Sequence, residues 1–501
     1  MFPMTVALER AARHFPGNTA MLEEDGRRED WATHVPAVAR MAGALSALGL
    51  GPGDRYAILS PNSVAQASLI HAGYWSGRVP VPLNFRLASP ELAAILRKCG
   101  ARVLFVAPAF SGLAEALATG GWDGRCVTLG AESAGLAAAA PAIDAVAVTE
   151  ADEAILLFTG GTTGEGKGVP LTHRNVVANG LQFATALGAV PGDLYLHVAP
   201  TFHSADLLGT AVTLAGGAHT YLAQPSPAAV VDAIEARGAT LTMAPPVLLK
   251  GIVAQGLARG RALDRLRVFI CGGAPVPLDL LAEAETQMPA TAMVQGYGMT
   301  ETAPILSFLH LPQARAVGAD DPLKSSGKPL AGVEIQLLDP GPDGTGELAV
   351  RGPNVFAGYL DRPADTADAF EGGWFRTGDM ARIDAHGFLH VVDRLKDVII
   401  TGGENVYSTE VETALLEHLS VAEAAVIGLP DANWGEKVVA VVVPTHGATP
   451  DPENLSVHCR QRLGGYKVPR DYRVVDALPK SALGKTLKAE LRAMFTETPA
   501  I

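Results

Sequence analysis

Long apolar runs are missing from this 501-residue chain, and none reaches the roughly 18–20 residues that a bilayer-spanning helix needs. That predicts a soluble protein with no integral membrane segment. The first twenty residues, Met1 to Ala20, mix Ala, Leu, Glu and Arg without a continuous apolar core, so they are not expected to form a secretory signal. Basic runs are also absent, and the net charge is −13, which argues against a nucleic-acid partner. Any polyanionic ligand must therefore be held by local features. Cysteine is scarce: Cys99, Cys126, Cys271 and Cys459 lie far apart with no Cys-x-x-Cys pair, which predicts buried free thiols in a reducing cytoplasm, no disulfide and no metal cluster. What is present is an ordinary globular composition, 48% hydrophobic and 18% charged, in a chain too long for one core; two or more domains are expected.

The most distinctive stretch is Phe158 to Val169, with five glycines, three threonines and one lysine in twelve residues. An apolar run, Ala154 to Leu157, precedes it and reads as a buried strand, and Thr172 to Val177 reads as a helix start, so strand, loop and helix are predicted. Exposed backbone N–H groups, hydroxyls and a cation suit a polyphosphate. Gly161 with Gly166-Lys167 comes within one residue of a Walker A loop, but Gly168 stands where the Mg²⁺-binding Ser or Thr would be, which opposes a P-loop kinase or ATPase.

The stretch resembles the T-[SG]-G-T-T-G-x-x-K-G signature of the adenylate-forming superfamily, which includes acyl-CoA synthetases, peptide-synthetase adenylation domains and luciferases. Gly160 stands where Ser is commoner and Gly166 where Pro is usual. The resemblance continues along nearly the whole chain and implies an α/β fold: a large N-terminal domain, residues 1–393, a hinge at 394–397 and a small mobile C-terminal α/β domain, 398–501. It implies that Thr159, Gly160, Gly161, Thr162, Thr163, Gly164 and Lys167 hold the β- and γ-phosphates of ATP, with Thr162 among the catalytic residues. Gly272-Gly273-Ala274-Pro275 follows a predicted strand, and Gly296-Tyr297-Gly298-Met299-Thr300-Glu301 follows another. By resemblance Tyr297 stacks on adenine, Gly273 and Ala274 line its other side, Pro275, Gly296 and Gly298 belong to the ATP/AMP site, Thr300 contacts phosphate, and Glu301 holds Mg²⁺.

Further motifs extend this expectation. Asp379, ending Trp374-Phe375-Arg376-Thr377-Gly378-Asp379, would accept both ribose hydroxyls, and Arg394 would stand near the ribose. Lys396 matches the pivot, and Lys485, in Pro479-Lys480-Ser481-Ala482-Leu483-Gly484-Lys485, matches the lysine that meets the carboxylate and α-phosphate. His203 would lie where acyl group and phosphate meet. The acyl pocket is expected from His203, Ser204, Leu207, Gly296, Gly298 and Ile305, mostly small or apolar, which leans to an aliphatic or aromatic monocarboxylic acid. Arg86, Gly402, Gly403, Glu404, Trp434, Tyr466 and Lys467 are expected on the coenzyme A path, with ordinary packing or a solvated surface as the alternative for Arg86, Trp434, Tyr466 and Lys467.

The implied function is an ATP- and Mg²⁺-dependent acyl-CoA synthetase that uses a small carboxylic acid and coenzyme A. An acyl-carrier-protein ligase is an alternative. An amino-acid adenylating enzyme is disfavoured, because Ser204-Ala205-Asp206 lacks the Phe-Asp amine anchor. A silent nucleotide-binding protein is opposed by the joint presence of Thr162, Glu301, Asp379 and Lys485. Ser408, where Pro is usual, and Gly166 have no reading from sequence alone, and the oligomeric state, a homodimer included, stays open.

Overall fold

The computed structural model describes residues 1–159, 166–259, 263–273, 276–317, 321–402, 404–431, 433–480 and 485–496. Gly160 to Gly164, Ala274, Pro275 and Gly403 lie outside the described residues.

The fold is mixed α/β, as expected. Its centre is a nine-stranded sheet in the order Lys328–Pro329, Ile305–His310, Ala292–Gly298, Val268–Gly272, Leu241–Ala244, Leu194–His197, Ala218–Tyr221, Thr19–Leu22 and Arg28–Asp30. The six strands from Ala292–Gly298 to Thr19–Leu22 run parallel, and the antiparallel strands lie at the two edges. Helices cover parallel sheets on both faces, so their strands read as apolar runs; Leu194–His197, Leu241–Ala244 and Val268–Gly272 are buried throughout. A four-stranded parallel sheet, Val79–Pro82, Arg55–Leu59, Val103–Val106 and Arg125–Thr128, packs beside it. The helices between start on side-chain caps: Asp30 accepts from the Thr33 amide at 2.8 Å, and Ser63 accepts from the Gln66 amide at 3.2 Å.

Residues 334–394 form a five-stranded antiparallel sheet ending in Leu389–Arg394, and a further sheet, built from Ile399–Thr401, Glu404–Val406, Val421–Asp431, Gly435–Pro444 and Asp471–Val474, carries the chain's last part. This last sheet has its own apolar core, with Ile399, Val411, Val426, Val438 and Leu455 buried in it. A large N-terminal domain and a smaller C-terminal one result.

Two expectations are corrected. Lys167 does not lie in a loop: Glu153–Thr159 pairs with Lys167–Thr172 as an antiparallel hairpin, and the helix begins at His173. The reason is alternation after the glycines: Val169 and Leu171 are buried opposite Leu157 and Ile155, which makes a second strand cheaper than a loop. Cys126 is exposed, because it sits on the edge strand Arg125–Thr128, whereas Cys99, Cys271 and Cys459 are buried. Burial pushes the Cys99 thiol up to about 11 and the Cys271 thiol up to about 12. Among the described residues no helix is long and apolar enough to cross a membrane.

Candidate active site

Because Leu194–His197, Val268–Gly272 and Ala292–Gly298 run parallel, the segments after them emerge on one edge of the sheet: residues 198–203, the turn at Gly273, and Met299 to Glu301. The backbone there is held close. At Gly298 an added Cβ would lie 2.2 Å from the Pro304 carbonyl oxygen, so only glycine fits beside that turn. Asn62 pins the first segment by donating to the carbonyls of His197 and Ala199 and accepting from the Thr201 amide at 2.9 Å. The short 3₁₀ helix Ser204–Leu208 follows, with His203 at its start. The Ser204 hydroxyl sits 3.2 Å from that of Thr300, which joins two of these strand-end segments.

Asp379 is the polar centre of the cleft. It is 2% exposed, accepts from the Tyr297 hydroxyl at 2.5 Å and pairs with Arg394 at 2.8 Å. Burial raises its pKa, opposed by Arg394, by the Tyr297 hydrogen bond and by the charge of Lys485. The same contact drives the Tyr297 hydroxyl well above its ordinary range, burial first and the Asp379 charge next.

Lys485 comes from the far end of the chain, yet its surroundings are those of the large domain. Desolvation lowers its pKa, Arg394 lowers it further and Asp379 opposes both, while the residue as a whole stays solvent-exposed. On the facing wall, burial brings His203 down to about 4, with the charges of Lys485 and Arg86 adding to the effect. His203, Asp379, Arg394 and Lys485 therefore share one site, and Arg86 stands at its His203 side.

Glu301 and Lys167 meet through a residue the sequence reading missed. The Tyr359 hydroxyl donates to Glu301 at 2.9 Å, the Lys167 ammonium lies 4.6 Å from the Tyr359 ring, and Lys167 pairs with Asp365 at 2.5 Å. Gly166 belongs to the same corner: a Cβ would press to 2.8 Å from the Thr159 carbonyl, and Lys98 donates to the Gly166 carbonyl at 3.2 Å. Among the described residues no group of three or more His, Cys, Asp or Glu side chains could hold a metal ion. Glu301, a single carboxylate on the cleft, fits Mg²⁺ in the way that ion is usually held, by one or two carboxylates together with substrate phosphates.

Of the residues expected around the acyl group, Ser204 and Leu207 lie on the 3₁₀ helix after His203 and Gly298 pairs with Ile305 across neighbouring strands, with Ser204 and Ile305 buried. Asp206, on the same 3₁₀ helix, is bonded to His197 Nδ1, so it is not a free amine anchor. On the small domain, Gly402 donates to the Trp434 carbonyl at 2.8 Å, and Arg470, unremarked in the sequence, lies 3.9 Å over the exposed Trp434 ring. Lys467 pairs with Glu410 at 2.7 Å beside the exposed Tyr466. Glu404 opens the strand Glu404–Val406 and is exposed.

The contacts of Ser408 explain why proline is absent there. Its hydroxyl donates to Asp393 at 2.7 Å and accepts from Lys488 at 2.5 Å, and Lys488 also pairs with Glu412 at 2.6 Å. Proline could supply neither contact. Arg492 pairs with Asp397 at 2.8 Å, and burial lowers the pKa of the neighbouring Lys396.

A consequence for stability follows from the histidines. Burial lowers His203 and His173 to about 4 and takes His71 and His219 well below their ordinary value, whereas the unfolded chain takes up those protons near 6.5. Stability is full above about pH 6.5 and is lost as pH falls toward 4, by at most about 1.4 kcal/mol per pH unit for each histidine. Melting curves at pH 7.5, 6 and 5 should give steadily lower Tm; a constant Tm would contradict the buried neutral histidines.

Comparisons with known proteins agree with this geometry. The family model for AMP-binding enzymes matches residues 8–360, and that for the AMP-binding enzyme C-terminal domain matches residues 410–485. A feruloyl-CoA synthase from an Amycolatopsis species is 39% identical over 496 residues, 97% of this chain and 98% of that protein. Among solved structures, ATP-bound MatB from Rhodopseudomonas palustris superposes with a TM-score of 0.87 at 31% identity, covering 98% of this chain and 99% of that one. The o-succinylbenzoate CoA synthetase MenE from Bacillus subtilis, in complex with its acyl-adenylate intermediate, gives 0.86 at 32% identity and covers 97% of both chains. The chain belongs to the AMP-binding enzymes of the adenylate-forming superfamily and is an AMP-forming acid–thiol ligase.

Proposed function

We propose that this ligase activates an aromatic or aliphatic monocarboxylic acid and transfers it to coenzyme A, with residues 1–393 and 398–501 as the two domains and 394–397 as the hinge. In the first step a carboxylate oxygen attacks the α-phosphorus of ATP, pyrophosphate leaves and an acyl-adenylate forms. In the second the CoA thiol attacks the acyl carbon, and AMP leaves with the bonding electron pair. One observation carries the reading: Lys485, from the small domain, shares its surroundings with His203, Asp379 and Arg394 of the cleft and hinge. That is the arrangement the first step needs, because a cation must offset the repulsion between a carboxylate and a phosphate.

In this reading Asp379 accepts the ribose hydroxyls, Tyr297 and the Gly273 turn enclose the adenine, and Thr300 and Lys167 meet phosphates. Thr162 and its neighbours complete the phosphate grip. His203 stays neutral and bounds the acyl group. Mg²⁺, held by Glu301 with the phosphates, would spread the charge of the departing pyrophosphate. Rotation about Lys396 would withdraw Lys485 and bring Gly402, Gly403 and Glu404 to the cleft. Trp434, Tyr466, Lys467 and Arg86 are then candidates for the CoA nucleotide, with Arg470 added from its contact with Trp434. Support for the acid class comes from the wall of Ser204, Leu207, Gly298 and Ile305, which contains no cation, and from the aromatic acid named by the feruloyl-CoA synthase. A panel of acids assayed with ATP and CoA should release pyrophosphate and AMP. Release of ADP and phosphate would overturn adenylation, and a clear preference for malonate or oxalate would overturn the acid class.

A further inference from the structure

Four buried histidines from four separate elements gather behind the Ser204–Leu208 helix. His34 Nε2 lies 2.9 Å from His71 Nδ1 and His34 Nδ1 lies 3.1 Å from Glu29; His197 bridges Asp206 and His219, with 3.0 Å to His219 Nδ1, and His219 Nε2 lies 3.0 Å from the Thr213 hydroxyl. The Tyr221 ring stacks on His197 at 4.1 Å. Between these groups lies a cavity of about 50 Å³, bordered among others by His71, Tyr74, Tyr221, Thr210, Asp206 and Leu207. At roughly 10–15 Å³ for a water-sized group, it holds about four such groups, too few for a long alkyl chain.

Its wall is short of partners. His71 is 8% exposed, Tyr74 3% and Tyr221 6%, yet His71 Nε2 and the two phenol hydroxyls make no hydrogen bond to any described residue. These side chains line the cavity, so an occupant with a polar group can hydrogen-bond to them there, and one that displaces water without doing so leaves them unpaired at a cost of about 1–3 kcal/mol each. Among the described residues Asp206 is the one carboxylate on the wall and no lysine or arginine lines it, which repels a second carboxylate and favours a neutral hydrogen-bonding group. Burial reinforces this by keeping His71 neutral and both tyrosines protonated.

The cavity adjoins the reaction site. The Ser204–Leu208 helix turns Ser204 toward Thr300 and presents Asp206 and Leu207 to the cavity. With about 2 Å rise per residue in such a helix, Ser204 and Leu207 are separated by about 6 Å along it, near the span of one aromatic ring. We propose that this cavity receives the far end of the acid and selects one that carries a neutral hydroxyl or carbonyl group there, bonded by Tyr74, Tyr221 and His71. This rests on the ligase reading and specifies its substrate.

Matched pairs of acids, one aromatic and its para-hydroxy counterpart, the other a short straight-chain acid with and without a terminal hydroxyl, test it by pyrophosphate release. The hydroxylated member of at least one pair should have the higher kcat/KM by about tenfold or more, since a site built to bond a hydroxyl discriminates strongly against its absence. Tyr221→Phe and Tyr74→Phe, each the same shape without the hydroxyl, should bring that ratio toward one. The ratio compares two substrates on one protein, so a general loss of stability does not move it. Ratios near one in the unsubstituted enzyme, or ratios unchanged in both variants, overturn the cavity assignment while leaving the ligase reading in place. Absence of pyrophosphate release with every acid overturns both.

Discussion

Lys485→Ala is expected to lower pyrophosphate release from ATP and acid by about 100- to 1000-fold, the loss typical when one preorganised charge is removed from a developing transition state. Thioester formation from CoA and a supplied acyl-adenylate should persist, because the proposed rotation about Lys396 takes the lysine out of the cleft before that step. The expectation follows from position. The charge of Lys485 is felt by His203 and by Asp379, and Arg394 acts on Lys485 in turn, so in the proposed reading it serves both the acyl and the ribose ends of the site. Single-turnover assays with each half-reaction separate the outcomes. Equal loss in both would mean that Lys485 supports the fold or serves both steps, and the division of labour would fail.

The same residue shows what the sequence could tell. Lysine in a glycine-containing loop has no meaning by composition, and Lys485 became legible only through the spacing around it. The parallel sheet was legible because buried strands have their own apolar signature. Pairing was not: Lys167–Thr172 follows a glycine-rich stretch and contains Pro170, which masks a second hairpin strand whose burial depends on Leu157 and Ile155 opposite. Ser408 and Gly166 had no explanation in their immediate neighbours: Ser408 answers to Lys488, 80 residues on, and Gly166 to the Thr159 carbonyl of the paired strand and to Lys98. Asp206 could be read only as a missing amine anchor, since its partner His197 belongs to the preceding strand. The histidine cavity was invisible for the same reason, as Glu29, His34, His71, His197 and His219 meet only once the two parallel sheets and the helices between them are assembled.

Asp379→Ala should raise the KM for ATP by about 100-fold, near 2.7 kcal/mol of lost binding. The carboxylate has two oxygens with different tasks: Oδ1 pairs with Arg394 and Oδ2 accepts from Tyr297. A ribose diol needs a bidentate acceptor, so nucleotide entry must share or displace these contacts, and alanine removes the acceptor and both restraints at once. Tyr297 would lose the bond that fixes its ring against the base, and Arg394 the counter-ion that holds it at the hinge. Asp379→Asn keeps the volume and one acceptor oxygen, so its defect should fall between those of alanine and the native residue. Calorimetric titration with AMP, which lacks the pyrophosphate, isolates this end of the site. Unchanged AMP affinity in the alanine variant would remove Asp379 from the ribose, whereas parallel losses for AMP and ATP, with CoA binding preserved, would place the defect at the nucleoside.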